Sequence, residues 1–211
     1  MACDLTLGRA VHCKDVVGGI KAVYFINYDD AGAITVGADD DVTDMAGTFT
    51  AYKYALKGNS SLEQAFNSSR ENGTTFFEQT LNLTLSKLTK IDNKQLKLLA
   101  YGRPQVVVQD YNDNAMLVGL NNGAEVTGGT IVTGAAMGDL SGYTLSLVGL
   151  NNGAEVTGGT IVTGAAMGDL SGYTLSLVGS EKLPANFMDG ATAADPFAGM
   201  ASATVTILAG V

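Results

Sequence analysis

The chain has 211 residues, a net charge of −9, 46% hydrophobic residues and 16% charged ones. That balance excludes an intrinsically disordered chain, and the length suits one good core or one domain with an elaboration. No apolar run reaches the roughly 18–20 residues a membrane helix needs, and the scarcity of charge predicts that copies of the chain cover part of its surface.

Charge is uneven. Residues 1–103 hold 11 basic and 12 acidic residues, whereas residues 104–211 hold one basic residue, Lys182, against nine acidic ones. Such a half repels phosphate, which excludes groove-type nucleic-acid binding. It is compatible with a channel that lets nucleic acid pass without sticking.

The opening MACDLTLGRAVHCKDVVGG lacks the basic-then-apolar layout of a secretory signal, so a soluble, intracellularly made protein is expected. Cys3 and Cys13 are the only cysteines, too few for a disulfide framework or a zinc site. They read as half-buried thiols, with a late disulfide as the alternative. His12 is the only histidine, which excludes a two-histidine metal site. A Ser-His-Asp relay would have to use it, and no serine sits in a nucleophile-elbow glycine pattern.

IKAVYFINY (20–28) is β-branched and aromatic between glycine and aspartate pairs, a strand signature. AITVG follows DDAG at hairpin spacing and is expected to return along it. GADDDVTDM clusters Asp39, Asp40, Asp41 and Asp44, but without the alternating spacing of a calcium loop, so a solvated turn is expected. GTFTAYKYALKG has strand composition and SLEQAFNSS a weaker one.

TTFFEQTLNLTLSKL has period two. Phe77, Leu81, Leu83 and Leu85 fall on a face to be buried; Glu78, Thr80, Asn82, Thr84 and Ser86 fall on a wet face. TKIDNKQLKLLAYG then reads as the one helix. Thr89 and Asp92 form a capping-box-like start, Gly102 and Pro104 a stop, and Leu88, Ile91, Leu98 and Leu99 the apolar face. RPQVVVQD, YNDN and AMLVGL read as a buried strand, a turn and a returning strand.

Residues 117–146 then recur without change as residues 147–176. Each unit offers two strands, AEVTGGTIVTG, broken at its Gly-Gly, and YTLSLVG, with AAMGDLSG between them. Two antiparallel strands return the chain to the same end in the same direction, so a sheet can absorb them. The second copy either lengthens the sheet or loops out. Two copies are too few for a solenoid. Removing one leaves a coherent 181-residue chain. The glycine-rich stretches lack a P-loop lysine or G-x-G-x-x-G and read as turns. NSS, NGT and NLT, without a secretory signal, read as polar strand residues. The chain closes with a small-residue linker and a strand, ATVTILAG.

The expected fold is mainly β with one principal helix, an α+β class. One β-rich domain spans 1–188 and holds both units, with linker and C-terminal strand over 189–211. No catalytic constellation, metal site or cofactor site emerges, which points to a structural protein rather than an enzyme.

The segments MACDLTLGRAVHCKDVVGGIKAVYFINY, ENGTTFFEQTLNLTLSKL, KQLKLLAYGRPQVVVQD and TGAAMGDLSGYTLSLVGSEKLPANF, in that order, resemble the tail tube (major tail) proteins of tailed bacteriophages. The group is the one found in phages and prophages of Bacteroidetes-like hosts. The resemblance spans about residues 1–187 with one repeat copy removed. The second copy and the residues after Met188 depart from it. It implies a β-sandwich or rolled sheet flanked by a helix, and subunits that form rings, typically hexamers, stacked into a hollow tube. It implies as partners the chain itself, other tail proteins, and DNA only as non-adhering passing cargo. The place implied is the virion tail, assembled in the bacterial cytoplasm, with no membrane contact. Under this resemblance Glu78, Thr80, Asn82, Thr84 and Ser86 are expected to line the bore; the plain alternative is an ordinary solvent-facing strand. Rival readings are a capsid decoration or head–tail connector protein, a β-sandwich binding module, and an enzyme acting through His12 or Cys13.

Overall fold

Three consecutive valines, Val106, Val107 and Val108, are each fully buried. Such a run demands cover on both faces of its strand, and it marks the centre of the fold. The computed structural model describes residues 16–57, 59–71, 73–133, 141–149, 159–163, 171–175, 180–181 and 184–209, with Gly8, Arg9 and Lys14. In chain order the strands before the helix are β1 (Ile20–Ile26), β2 (Ile34–Val36), β3 (Val42–Met45), β4 (Gly47–Ala55), β5 (Ser61–Ser69) and β6 (Thr74–Ser86). Helix α1 (Lys90–Tyr101) leads to β7 (Gln105–Asp110), β8 (Ala115–Val118), β9 (Ala124–Val132) and β10 (Gly142–Gly149). Then come β11 (Gly159–Thr163), β12 (Ser171–Leu175), β13 (Ser180–Glu181), β14 (Asn186–Phe187) and β15 (Ala203–Ala209). The chain is mainly β with one helix among the described residues.

The central sheet runs β14-β8-β7-β1-β4-β15, antiparallel except that β15 lies parallel to β4. One face, with Val23, Phe25, Val106 and Val108, packs against Leu81, Leu83, Tyr143, Leu145 and Leu147 of a second sheet. The opposite face, with Tyr24, Ile26 and Val107, packs against Val42, Met45, Met188, Phe197 and Met200. Three layers result, and burial of apolar area on both sides of the central sheet is the main stabilising term.

Four features depart from the sequence reading. AITVG does not return along β1, because β4 and β7 occupy both edges of β1; β2 pairs instead with β3. The Gly-Gly of the repeat does not break its strand. β9 runs on through it with a β-bulge, since Gly128 pairs with Ser146 and Val126 with Leu147, leaving Thr127 as the extra residue. In α1 the buried residue is Leu96, with Leu88 and Leu99 partly buried, at spacings of one helical face. Ile91 and Leu98 lie on the other side and are 59% and 55% exposed. Finally, the segment read as a linker supplies Phe197 and Met200 to the core, and Phe197 meets Tyr24 and Phe49 edge-on at 5.7 and 5.9 Å.

The helix ends are as expected in place. Thr89 Oγ1 accepts the Asp92 N–H at 3.0 Å and donates to Asp92 Oδ2 at 2.6 Å. The Gly102 N–H donates to the Leu98 and Leu99 carbonyls, but its φ of −97° is extended, so the stop rests on the turn toward Pro104 rather than on a left-handed glycine.

The second sheet runs β11-β12-β9-β10-β6, with β13 and β5 also on β6. Both repeat units form the same hairpin. Gly129 pairs with Leu145 and Val132 with Gly142 in the first; Gly159 pairs with Leu175 and Val162 with Gly172 in the second. The second hairpin adds to the free edge of β9, where Gly172 pairs with Ile131. The join is in register. Val148 pairs with Thr80, so Gly149 falls opposite Gln79, and the next position, Glu78, is taken by Ser180. The second unit is thus an excursion between two neighbouring positions of one strand line. Among the described residues, no helix is long and apolar enough to cross a membrane.

Candidate lumen face and helix groove

The period-two alternation of β6 is present, but its polar face is half-buried rather than wet at Glu78, Thr80, Asn82 and Thr84. Leu81 and Leu83 are buried, Phe77 and Leu85 partly so, and Gln79 joins them on the inner side at 1% exposure. Glu78, Thr80, Asn82, Thr84 and Ser86 project from the opposite face, the first four half-buried and Ser86 exposed. Antiparallel pairing lines them up mostly with polar residues, although Thr80 also pairs with Val148 and Glu78 with Ala65. Thr84 stands beside Thr144, and Thr144 beside Thr130; Asn82 stands between Ser61 and Ser146; Thr80 stands beside Glu63.

These groups satisfy one another. The Thr130 and Thr144 hydroxyls lie 3.2 Å apart, Ser146 Oγ donates to Asn82 Oδ1, and Thr84 Oγ1 donates to the Asn59 carbonyl at 2.8 Å. Glu78 Oε2 accepts from Asn67 Nδ2 at 3.2 Å. The charges at the described, paired positions of this face are Glu63, Glu78 and Glu125, with no lysine or arginine among them. The result is a hydroxyl and amide ladder of negative sign whose donors are largely engaged.

A second feature escaped the sequence reading. A groove of about 540 Å3 opens between α1 and the β9–β10 hairpin. Its floor is apolar: Leu96 from the helix, Val126 and Ile131 from β9, Tyr143 and Leu145 from β10, with Asn93, Lys97 and Ala100 also lining it. The bulge turns Thr127 into the groove beside Val126. Thr127 is 3% exposed, and its hydroxyl has no hydrogen-bond partner among the described residues. The Tyr143 hydroxyl donates to the Thr89 carbonyl at 3.2 Å, tying hairpin to helix start. Burial, then the Asp92 charge, push the Tyr54 phenol above its ordinary value. The Thr-Gly-Gly triplet was the readable signal, because glycines inside a strand often mark a bulge.

Asp44 acts as a structural acceptor. Its Oδ1 receives the Met45 and Ser202 backbone N–H groups at 2.9 and 3.0 Å, and these Ser202-led hydrogen bonds hold its carboxyl below the usual value. Among the described residues no group of three His, Cys, Asp or Glu side chains is placed to hold a metal ion. Cys3, His12 and Cys13 lie outside the described residues. Comparison with protein-family models, with curated proteins and with solved structures finds no match to this chain.

Proposed function

We propose that the chain is a virion structural protein that self-assembles into stacked rings, six-membered as in the family it resembles, forming the tail tube through which phage DNA leaves the capsid. The observation that carries the reading is the outer face of β6 and its neighbours. It is mostly polar, acidic, free of cations at its described paired positions, and hydrogen-bonded within itself, with Thr130 and Ser146 buried in it. Duplex DNA adheres where lysine and arginine displace its counterions. A bore lined by this face offers no lysine or arginine at its described paired positions, and its donors are largely engaged, so cargo slides. The sequence resemblance and the low charge of the whole chain support the same reading.

Negative-stain electron microscopy of the concentrated, partner-free protein tests it. Hollow tubes or stacked six-fold rings are expected. Monodisperse monomers or trimers at every concentration would overturn the tube assignment in favour of a decoration protein or a binding module.

A further inference from the structure

Five of the chain's 12 lysines and arginines fall within residues 87–103, against one acid in that stretch, Asp92. Residues 22–52 are the reverse, with six aspartates and no lysine or arginine. The fold puts the two stretches on opposite sides of the central sheet. α1 packs through Leu96 and Leu99 into the core on one face of that sheet. β2 and β3 pack through Ile34, Val42 and Met45 on the other face.

Each stretch turns its charge outward. Lys90, Lys94 and Lys97 recur at helical spacing and are all exposed. At about 100° per residue they form one stripe on the side of α1 away from Leu96. Ile91, Leu98 and Tyr101 stand exposed on the same side. Across the sheet, the turn between β2 and β3 holds Asp39 and Asp40 exposed and Asp41 half-buried. The Gly37 N–H donates to the Asp41 carbonyl at 2.8 Å and closes that turn. Among the described residues none of these three lysines and three aspartates lies within ion-pair distance of an opposite charge. The lysine stripe spans about 10 Å at roughly 1.5 Å per residue. Three consecutive aspartates span at most about 7 Å, so the carboxylates fit along the stripe.

We propose that the aspartate turn of one copy docks on the lysine stripe of the next copy. The inference rests on the self-assembly reading above and names its contact. One chain carries both signs on opposite sides and cannot pair them with itself; a second copy supplies the complement of each. The two surfaces differ, so the contact is head-to-tail and repeats into closed rings or open stacks. Opposite charge steers the approach and fixes the register, and Ile91 and Leu98 lose water as the turn seats.

A charge exchange tests it. One variant carries Lys90→Glu, Lys94→Glu and Lys97→Glu. The other carries Asp39→Lys and Asp41→Lys and spares Asp40, whose φ of 58° suits aspartate better than lysine. Circular dichroism checks that both fold. Each alone should raise the concentration for half-assembly about tenfold or more in sedimentation velocity. Mixed one to one, they should assemble again near the wild-type concentration, in alternation. The reversed stripe then meets the reversed turn, and the native stripe meets the native turn. If either variant assembles as readily as wild type, or the mixture stays disassembled, the contact is wrong while the tube reading stands, and the stripe serves an acidic partner other than this chain. If wild type stays monomeric at about 1 mM, where even weak contacts populate, both are overturned.

Discussion

Excising residues 150–179 joins Gly149 to Ser180 and yields the same 181-residue sequence as excising 147–176. In the joined chain Gly149 falls opposite Gln79 and Ser180 remains opposite Glu78, so β10 and β13 fuse into one strand without a slip. Among the described residues the loss is the docking of β12 on β9 at Gly172↔Ile131, about 2 kcal/mol at most for one ladder pair. The gain is relief from closing a thirty-residue excursion, about 3 kcal/mol from the logarithmic loop term. The two nearly cancel, and the shortened chain is expected within about 2 kcal/mol of the full one. At about 2–4 °C per kcal/mol for a chain of this size, the two melting temperatures should lie within about 8 °C. Circular dichroism melts measure this, and electron microscopy should show the shortened chain assembling as the full one does. An insoluble shortened chain, or a melting temperature lower by more than about 15 °C, would show that the second hairpin is a structural member and that the register argument fails.

Phe197→Ala should cost about 3–5 kcal/mol, as for other fully buried aromatics, measurable by urea unfolding; a cost below about 1 kcal/mol would mean that residues 189–211 are an appendage after all. The Asp44 carboxyl is held below its ordinary 3.8 by hydrogen bonds from Ser202 and Met45. Its contribution is therefore present above pH 3.8 and lost as pH falls through the lower, folded value. Asp44→Asn should lose less melting temperature than wild type between pH 6 and pH 3, and equal losses would refute the assignment.

Periodicity carried most of the fold. β6 was legible to the residue because one side of it meets the core and the other meets polar neighbours, the condition under which period two appears. β7 was legible because its valines are covered twice. Propensity could not say which strands become neighbours: AITVG has strand composition, but its partner was decided by which edges of β1 were already taken. The helix face was misassigned because Ile91 and Leu98 are apolar yet point away from the core; composition does not separate a side chain meant for the interior from one left on the surface. Of the candidate site, the outer face of β6 was readable from alternation alone. The groove was not, because it depends on a bulge and on how a helix from another part of the chain lies over it.

The tripeptide Leu-Val-Gly follows through the end of β8 at 117–119, ends β10 at 147–149, and stands again at 177–179. A chain with a single unit holds it twice, thirty residues apart. One unequal exchange between the two coding stretches produces this tandem in frame, with no residue altered at the junction. The same event in reverse removes a unit. Because the strand line across Gly149 and Ser180 closes over the excursion, such an exchange changes the length of the gene while leaving the core of its product in place. Inheritance can therefore expand and contract this protein in steps of thirty codons.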